Sequence, residues 1–412
     1  MTTTSATART PPAGYRAVLA VGEFRAMFAA HVISMLGDVV AAIALAVLVY
    51  QQTSSPLLSA LTFALGFLPY LFGGALLSSV ADRFPARPAL ICCNLASAAL
   101  AALMAIPGMP VPALLALLVP LGMVAPVFEG ARAASLPEVL GDGDGYVLGR
   151  SLLRMVAQGA QVGGFAIGGA LLVVVTPRAA LLGDAASFLA SAALLRLGTR
   201  WRPARGAAAG PSCGRTRIAR DSLAGLGLLL GSPRLRPLLL LRWLPPAFAV
   251  APEALALPYA AGLGKGTVAA GLLLSAGPVG TIAGEVMAGV LLGRAWRDRL
   301  LVPLAVAAFL PLLGYAARPA LGLAIALLLL AGAGSAYTLG LDQRFLDATP
   351  KPLFGRAMSV SSSGLMLTQG LGFAAAGAAA QALSAQAVVT AAGIAGLTVV
   401  LALARALPRA DS

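Results

Sequence analysis

Twelve apolar stretches separated by short polar turns constrain this chain more than any single motif. They lie at about 26–50, 56–80, 88–107, 112–134, 150–175, 179–198, 236–260, 266–292, 300–316, 320–341, 355–381 and 386–405. Each is near or above the roughly 17–25 residues that a helix needs to cross a bilayer, the ninth being the shortest. A membrane barrel would show shorter segments of alternating polarity, so helices are expected. Only 11% of the residues are charged and 59% are hydrophobic, against about 25% charged in soluble domains. Too few polar side chains exist to clothe a core of this size in water, and lipid is left as the solvent. The expected fold is an all-α integral membrane protein of twelve transmembrane helices.

The placement of basic residues orients it. With the N-terminus inside, the inner segments hold most of the arginines, and the outer loops hold only Arg178, Lys265 and Arg318. That asymmetry predicts a multi-pass protein of the cell membrane with both termini cytoplasmic. The net charge of +14 follows one membrane face over many short loops and makes no single basic patch, which excludes a nucleic-acid partner. The apolar run after residue 25 is too long for the apolar region of a signal peptide and reads as a retained first helix.

The chain reads as two halves. Residues 1–25 form a cytoplasmic tail, 26–198 a first six-helix bundle, 199–235 a cytoplasmic linker, 236–405 a second six-helix bundle and 406–412 a short tail. The linker holds Pro203, Gly206, Gly210, Pro211 and Gly214, and its 218–231 stretch fits a short helix lying flat on the membrane surface. Internal similarity supports the division. Gly149-Arg150 and Gly355-Arg356 open the fifth and eleventh segments. Gly164-Phe165-Ala166-Ile167-Gly168-Gly169 parallels Gly372-Phe373-Ala374-Ala375-Ala376-Gly377. Parallel six-helix repeats place a pathway at their interface, near the bilayer midplane.

Acids inside the apolar segments are the candidate functional groups, because a charge at the bilayer centre costs at least about 2.5–3.5 kcal/mol and must face an interior or a partner. Asp38 lies midway along the first segment, with His31 two turns earlier on the same face. Glu253 follows Pro252, where a freed carbonyl permits a bend. Glu285 is flanked by Gly280, Gly284 and Gly289. Asp38, Glu253, Glu285 and His31 are thus the candidates for proton coupling or for a cavity, which the two glutamates would make acidic. Helix-to-helix hydrogen bonding is the alternative role for each. Asp184 and Glu129 belong to the same set of intramembrane acids; for Asp184, near the outer end of the sixth segment, contact with water is the alternative, and Glu129 with Arg132 is expected to form an i, i+3 ion pair. Gly159, Gly163, Gly164, Gly168 and Gly169 on the fifth segment are expected to let a neighbouring backbone approach closely.

One turn carries a recognisable pattern. Leu76-Leu77-Ser78-Ser79-Val80-Ala81-Asp82-Arg83-Phe84-Pro85-Ala86-Arg87-Pro88 resembles the loop between helices two and three of the major facilitator superfamily, roughly G-x-L-a-D-R-x-G-R-[KR]. Asp82, Arg83 and Arg87 match; Ser78, Pro85 and Ala86 depart from it. The helix-five glycines are similar to the antiporter motif G-P-x-x-G-G, with Phe165 in place of proline, and ordinary small-residue packing is the alternative. Glu23-Phe24-Arg25, Gly37-Asp38 and Gly355-Arg356 resemble the drug/proton antiporter branch that includes macrolide-efflux proteins and the enterobactin exporter. The resemblance implies two six-helix pseudo-repeats around a central cavity, a monomer, and an inner gate loop in which Asp82, Arg83 and Arg87 work with Arg132 or Arg356; a static topology anchor is the alternative role for that loop. It also implies proton-driven export of small amphiphilic molecules by alternating access.

Other classes are poorly served. Three cysteines, two of them adjacent, make neither a disulfide framework nor a zinc site. No G-x-x-x-x-G-K-[ST] occurs for a nucleotide, no G-x-S-x-G elbow has a credible base with His31 as the sole histidine, and no D-D-x-x-D acid cluster suits a lipid-modifying enzyme. The expectation is no enzyme, no catalytic residue, no metal and no cofactor, with the proton gradient as energy source. The expected partners are a small-molecule substrate, protons and the lipid bilayer. A nutrient or metabolite importer and a transport-inactive membrane receptor remain the alternatives.

Overall fold

The computed structural model describes residues 14–67, 85–141, 144–202, 227, 229–350 and 354–407, and among these every regular element is a helix. The main helices are α1 (Gly22–Thr53), α2 (Pro56–Phe67), α3 (Ala86–Met104), α4 (Val111–Leu140), α5 (Asp144–Leu171) and α6 (Pro177–Gly198). They continue with α7 (Leu235–Gly262), α8 (Thr267–Leu291), α9 (Leu301–Ala317), α10 (Leu321–Ala348), α11 (Phe354–Ala379) and α12 (Ala385–Ala404). Eight of them, α1, α3, α4, α6, α7, α8, α10 and α12, are long and apolar enough to cross a membrane, and α2 and α9 are shorter apolar helices. The chain is therefore an all-α, multi-pass membrane protein. Its outward faces carry Ile167, Val286, Leu330 and Ile394, each more than half exposed, as a lipid solvent demands.

Local chemistry sets the helix ends. Thr176 caps α6 by accepting from the Ala179 amide at 3.3 Å, with Pro177 at the first helical position. Ser384 caps α12 in the same way through Ala387. Ser54 takes a left-handed conformation and ends α1 one residue before the Ser55-Pro56 start of α2. Helix α1 starts at Gly22, inside the expected tail, and a short helix (Tyr15–Ala20) precedes it. The rod α7 breaks at Val250 and Leu255, which isolates the Ala251–Ala254 turn around Pro252. Helix α9 tightens to a 3₁₀ helix over Leu310–Ala317. Helix α5 runs unbroken, as Phe165 in place of proline permits.

The same packing plan occurs twice. In the first half α1 packs on α2, α5 and α6, while α3 packs on α4 and α6, and α2 on α4. In the second half α7 packs on α8, α11 and α12, while α9 packs on α10 and α12, and α8 on α10. Across the halves the main contacts are α5 with α8 and α2 with α11, which the same pseudo-twofold relation exchanges. The glycines explain the register. A Cβ on Gly164 would lie 2.7 Å from Val39 of α1, and one on Gly372, 208 residues later, 2.9 Å from Val250 of α7. A Cβ on Gly169 would lie 2.7 Å from the Gly271 Cα of α8, and one on Gly377 3.0 Å from the Leu57 Cα of α2. The internal similarity in sequence is thus a similarity of close helix crossings.

These crossings between the halves lie at one end of the bundle, the end opposite the start of α1. There Gln381 also donates to the Ser55 hydroxyl at 2.7 Å. At the other end each half is tied within itself. Glu23 receives both Arg202 Nη groups, at 2.6 and 2.8 Å, and the Arg200 amide at 2.9 Å, while Arg202 Nε lies 3.7 Å from Glu138. The hydrogen bond to Glu23 holds the Arg202 guanidinium above its ordinary range. Arg87 donates to the Arg196 carbonyl. In the second half Arg242 pairs with Asp342, Arg344 with Asp298, and Arg294 with Asp347 at 2.5 Å.

Candidate functional site

A cavity of about 640 Å³ opens inside the first half. All six of that half's helices line it, and among the described residues the second half contributes Glu253 of α7 and Met366 and Phe373 of α11. That volume suits a small organic molecule. Its wall is largely aromatic and aliphatic. Phe373 reaches across from α11 and stacks on Phe63 and Phe67 of α2, with ring centroids 5.5 and 5.6 Å apart. Phe165, related to Phe373 by the internal repeat, lines the wall from α5.

The structure brings Asp38, His31 and Glu253 to this cavity. His31 and Asp38 share one face of α1, as their seven-residue spacing requires. His31 is 3% exposed, and Arg132 of α4 donates to its Nδ1 at 2.6 Å. A guanidinium has only donors, so Nδ1 accepts and the imidazole is neutral. Arg132 also pairs with Glu129, the expected i, i+3 partner, and covers the Phe128 ring at 5.8 Å. Glu253 sits on the short turn between the two breaks of α7, where the chain leaves regular helix.

Three readings need correction. Glu285 does not line the cavity; it is half-buried on α8, with Thr338 of α10 at 3.5 Å. Asp184 is not wet. It is 3% exposed, lines the cavity and accepts from the Ser187 hydroxyl at 3.2 Å. Its position near the end of an apolar run misled, because the depth of a side chain in a bundle depends on which neighbour covers it. Among the helix-five glycines, Gly164 and Gly168 abut α1 and Gly169 abuts α8, but Gly159 and Gly163 have open space where a Cβ would go. Two of the five therefore serve no close approach.

Of the expected gate loop, Asp82 and Arg83 lie outside the described residues, as does the Arg356 side chain. Arg87 lies at the start of α3 and is tied to α6, and Arg132 is held by His31 and Glu129. Of the 218–231 surface-helix segment, residues 218–226 and 228 lie outside the described residues.

The family model described as transmembrane secretion effector, of the major facilitator type, matches residues 13–412. Among solved structures, that of the nucleoside transporter NupG superposes with a TM-score of 0.71 at 14% identity, over 92% of this chain and 98% of that one. A POT family transporter in complex with 5-aminolevulinic acid gives 0.70 at 11% identity, over 93% and 95%. The peptide transporter POT in complex with sulfate gives 0.70 at 14% identity, over 96% of both chains. At these identities the likeness is one of fold. No curated protein matches the sequence.

Proposed function

The chain belongs to the transmembrane secretion effector family of the major facilitator type, and from that membership we propose that it exports small amphiphilic molecules against a proton gradient. It is a membrane transporter by family and fold; direction, substrate and coupling are the proposal. The observation that carries it is the cavity: about 640 Å³, walled largely by phenylalanine and aliphatic side chains, with the carboxyls of Asp38, Asp184 and Glu253 in its lining beside polar groups such as Asn94, Gln158 and Gln161. Aromatic rings suit the apolar part of an amphiphile, and carboxyls buried at mid-bundle suit a group that loads and releases a proton. The two halves meet at the end away from the start of α1. With the termini cytoplasmic, as the arginine asymmetry suggests, that seal faces outward and the cavity is loaded from within. Export then needs the halves to rock so that the seal opens and the opposite end closes.

The test is uptake into inside-out vesicles with an acid interior, for wild type and Asp38→Asn, with a lipophilic cationic dye and a macrolide as probes. Gradient-driven uptake by wild type supports export, and its loss in Asp38→Asn assigns coupling to Asp38. Uptake that survives in the variant moves coupling to Asp184 or Glu253, the other two carboxyls that line the cavity. Uptake independent of the gradient, or driven the opposite way, would replace the proposal with a facilitator or an importer.

A further inference from the structure

We propose that Gln158 and Gln161 of α5 hold the uncharged polar head of the transported amphiphile, an amide or a like group that donates and accepts hydrogen bonds at once, while its apolar end lies outward among phenylalanine rings. This rests on the reading of the cavity as a transport site and adds to it the class of head group and the direction in which the molecule lies. The two glutamines and Phe165 fall at i, i+3 and i+7 of one unbroken helix, so they share a face, and all three line the cavity. At 1.5 Å per residue, Gln161 lies about 6 Å and Gln158 about 10.5 Å from Phe165 toward the start of α5. Phe165 belongs to the sealed end. A Cβ on Gly271 would lie 2.7 Å from the Phe165 carbonyl oxygen, and Phe373, the counterpart of Phe165 in the second half, stacks on Phe63 and Phe67 at the crossing of α11 with α2.

The glutamines are polar groups of this wall with nothing bound to them. Gln158 is exposed and Gln161 half-buried, and neither side chain has a hydrogen-bond partner among the described residues. Asn94 of α3 lines the same cavity, but its amide already donates to the Leu90 carbonyl at 2.9 Å. Water satisfies the glutamines while the cavity is open, and a ligand that displaces the water must replace those bonds or lose affinity. Each carboxamide offers two N–H donors and an oxygen acceptor, and carries no charge. Two of them on adjacent turns, with Cβ atoms about 5–6 Å apart, match a head that donates and accepts in the same way, such as an amide. A head that only accepts leaves the glutamine oxygens unpaired, and a carboxylate head would meet Asp38, Asp184 and Glu253 in the same lining. Entry from the open end carries the apolar end in first, toward the rings, and leaves the head on the glutamines, one to two turns nearer the opening.

The test uses full-length protein in nanodiscs, with binding read by scintillation proximity and the signal of empty nanodiscs subtracted. The probes are tritiated 4-butylbenzamide and methyl 4-butylbenzoate, which share a tail and differ in the donors of the head. Wild type is expected to bind the amide about tenfold more tightly, the worth of one hydrogen bond. Gln158→Met and Gln161→Met, which keep the length of the side chain, should each reduce that preference, and the double substitution should abolish it. A measurement on wild type alone accompanies this and decides the matter if the double variant does not fold. A 4-butylbenzamide with a diazirine at the end of its butyl chain should label α2 around Phe63 and Phe67 or α11 around Phe373, and one with the diazirine on the amide nitrogen substituent should label α5 around Gln158. Equal wild-type affinities for the two probes overturn the proposal, as does a preference that survives the double substitution. Failure of both probes to bind, or head and tail labels in reversed or identical places, also overturns it. Gradient-driven uptake of the cationic dye by wild-type vesicles alongside any of these leaves the exporter reading standing and removes only the head site on α5.

Discussion

Gly169→Ala tests the seal between the halves at one atom. The added Cβ would lie 2.7 Å from the Gly271 Cα and 2.9 Å from the Thr267 carbonyl oxygen. Both are backbone atoms, which cannot swing aside as a side-chain tip can. Ordinary contact begins near 3.4 Å, so α5 and α8 must part by about 0.7 Å at their crossing. Overpacking of this kind costs about 1–3 kcal/mol. Here the cost falls only on the state in which the two helices touch. A penalty confined to one state shifts its population about tenfold for each 1.4 kcal/mol, or roughly 5- to 150-fold over that range. The assay is disulfide formation between Ser55→Cys and Gln381→Cys, whose native side chains are 2.7 Å apart across the same seal, in a chain otherwise free of cysteine. Gly169→Ala should slow the crosslink, and Gly377→Ala, at the crossing related by the internal repeat, should slow it similarly. Gly159→Ala is the control: it meets nothing within 4 Å and should leave the rate unchanged. Equal rates in Gly169→Ala and Gly159→Ala would refute the claim that the glycine crossing holds the halves together.

Other predictions follow from single contacts. Phe373→Ala removes two ring stacks between α11 and α2; a cost of about 3–5 kcal/mol should both lower thermal stability in detergent and slow the same crosslink. Tyr259→Phe strands the buried Pro319 carbonyl that its hydroxyl reaches at 2.7 Å, and should destabilise by about 1–3 kcal/mol in thermal unfolding without altering the crosslink rate. Glu23→Ala releases the bidentate hold on Arg202 and the hydrogen bond to the Arg200 amide; the loss of about 1.5–3 kcal/mol should appear as faster tryptic cleavage after Arg200.

Much of the architecture was legible in the sequence, because a bilayer leaves a chain few options. Every backbone polar group must be satisfied within its own segment, so a long apolar run must be a helix, and the runs from Leu235 to Gly262 and from Thr267 to Leu291 fall within a few residues of expectation. The internal repeat was legible too. Gly164 and Gly169 predict Gly372 and Gly377 because only a residue without a side chain lets two helices touch. Rotation about each helix axis was not legible. An apolar segment in lipid is apolar on its outer face as well as its inner one, so α1 and α6 carry no amphipathic stripe to say which way Asp38 and Asp184 turn. The tertiary structure decided that question by packing. It buried Asp184 against Gly37, turned Glu285 away from the cavity toward Thr338, and gave the cavity to the first half of a molecule whose two halves share one plan. Local sequence sets where a membrane helix begins and ends; only its neighbours determine which of its faces sees another protein surface, a cavity or lipid.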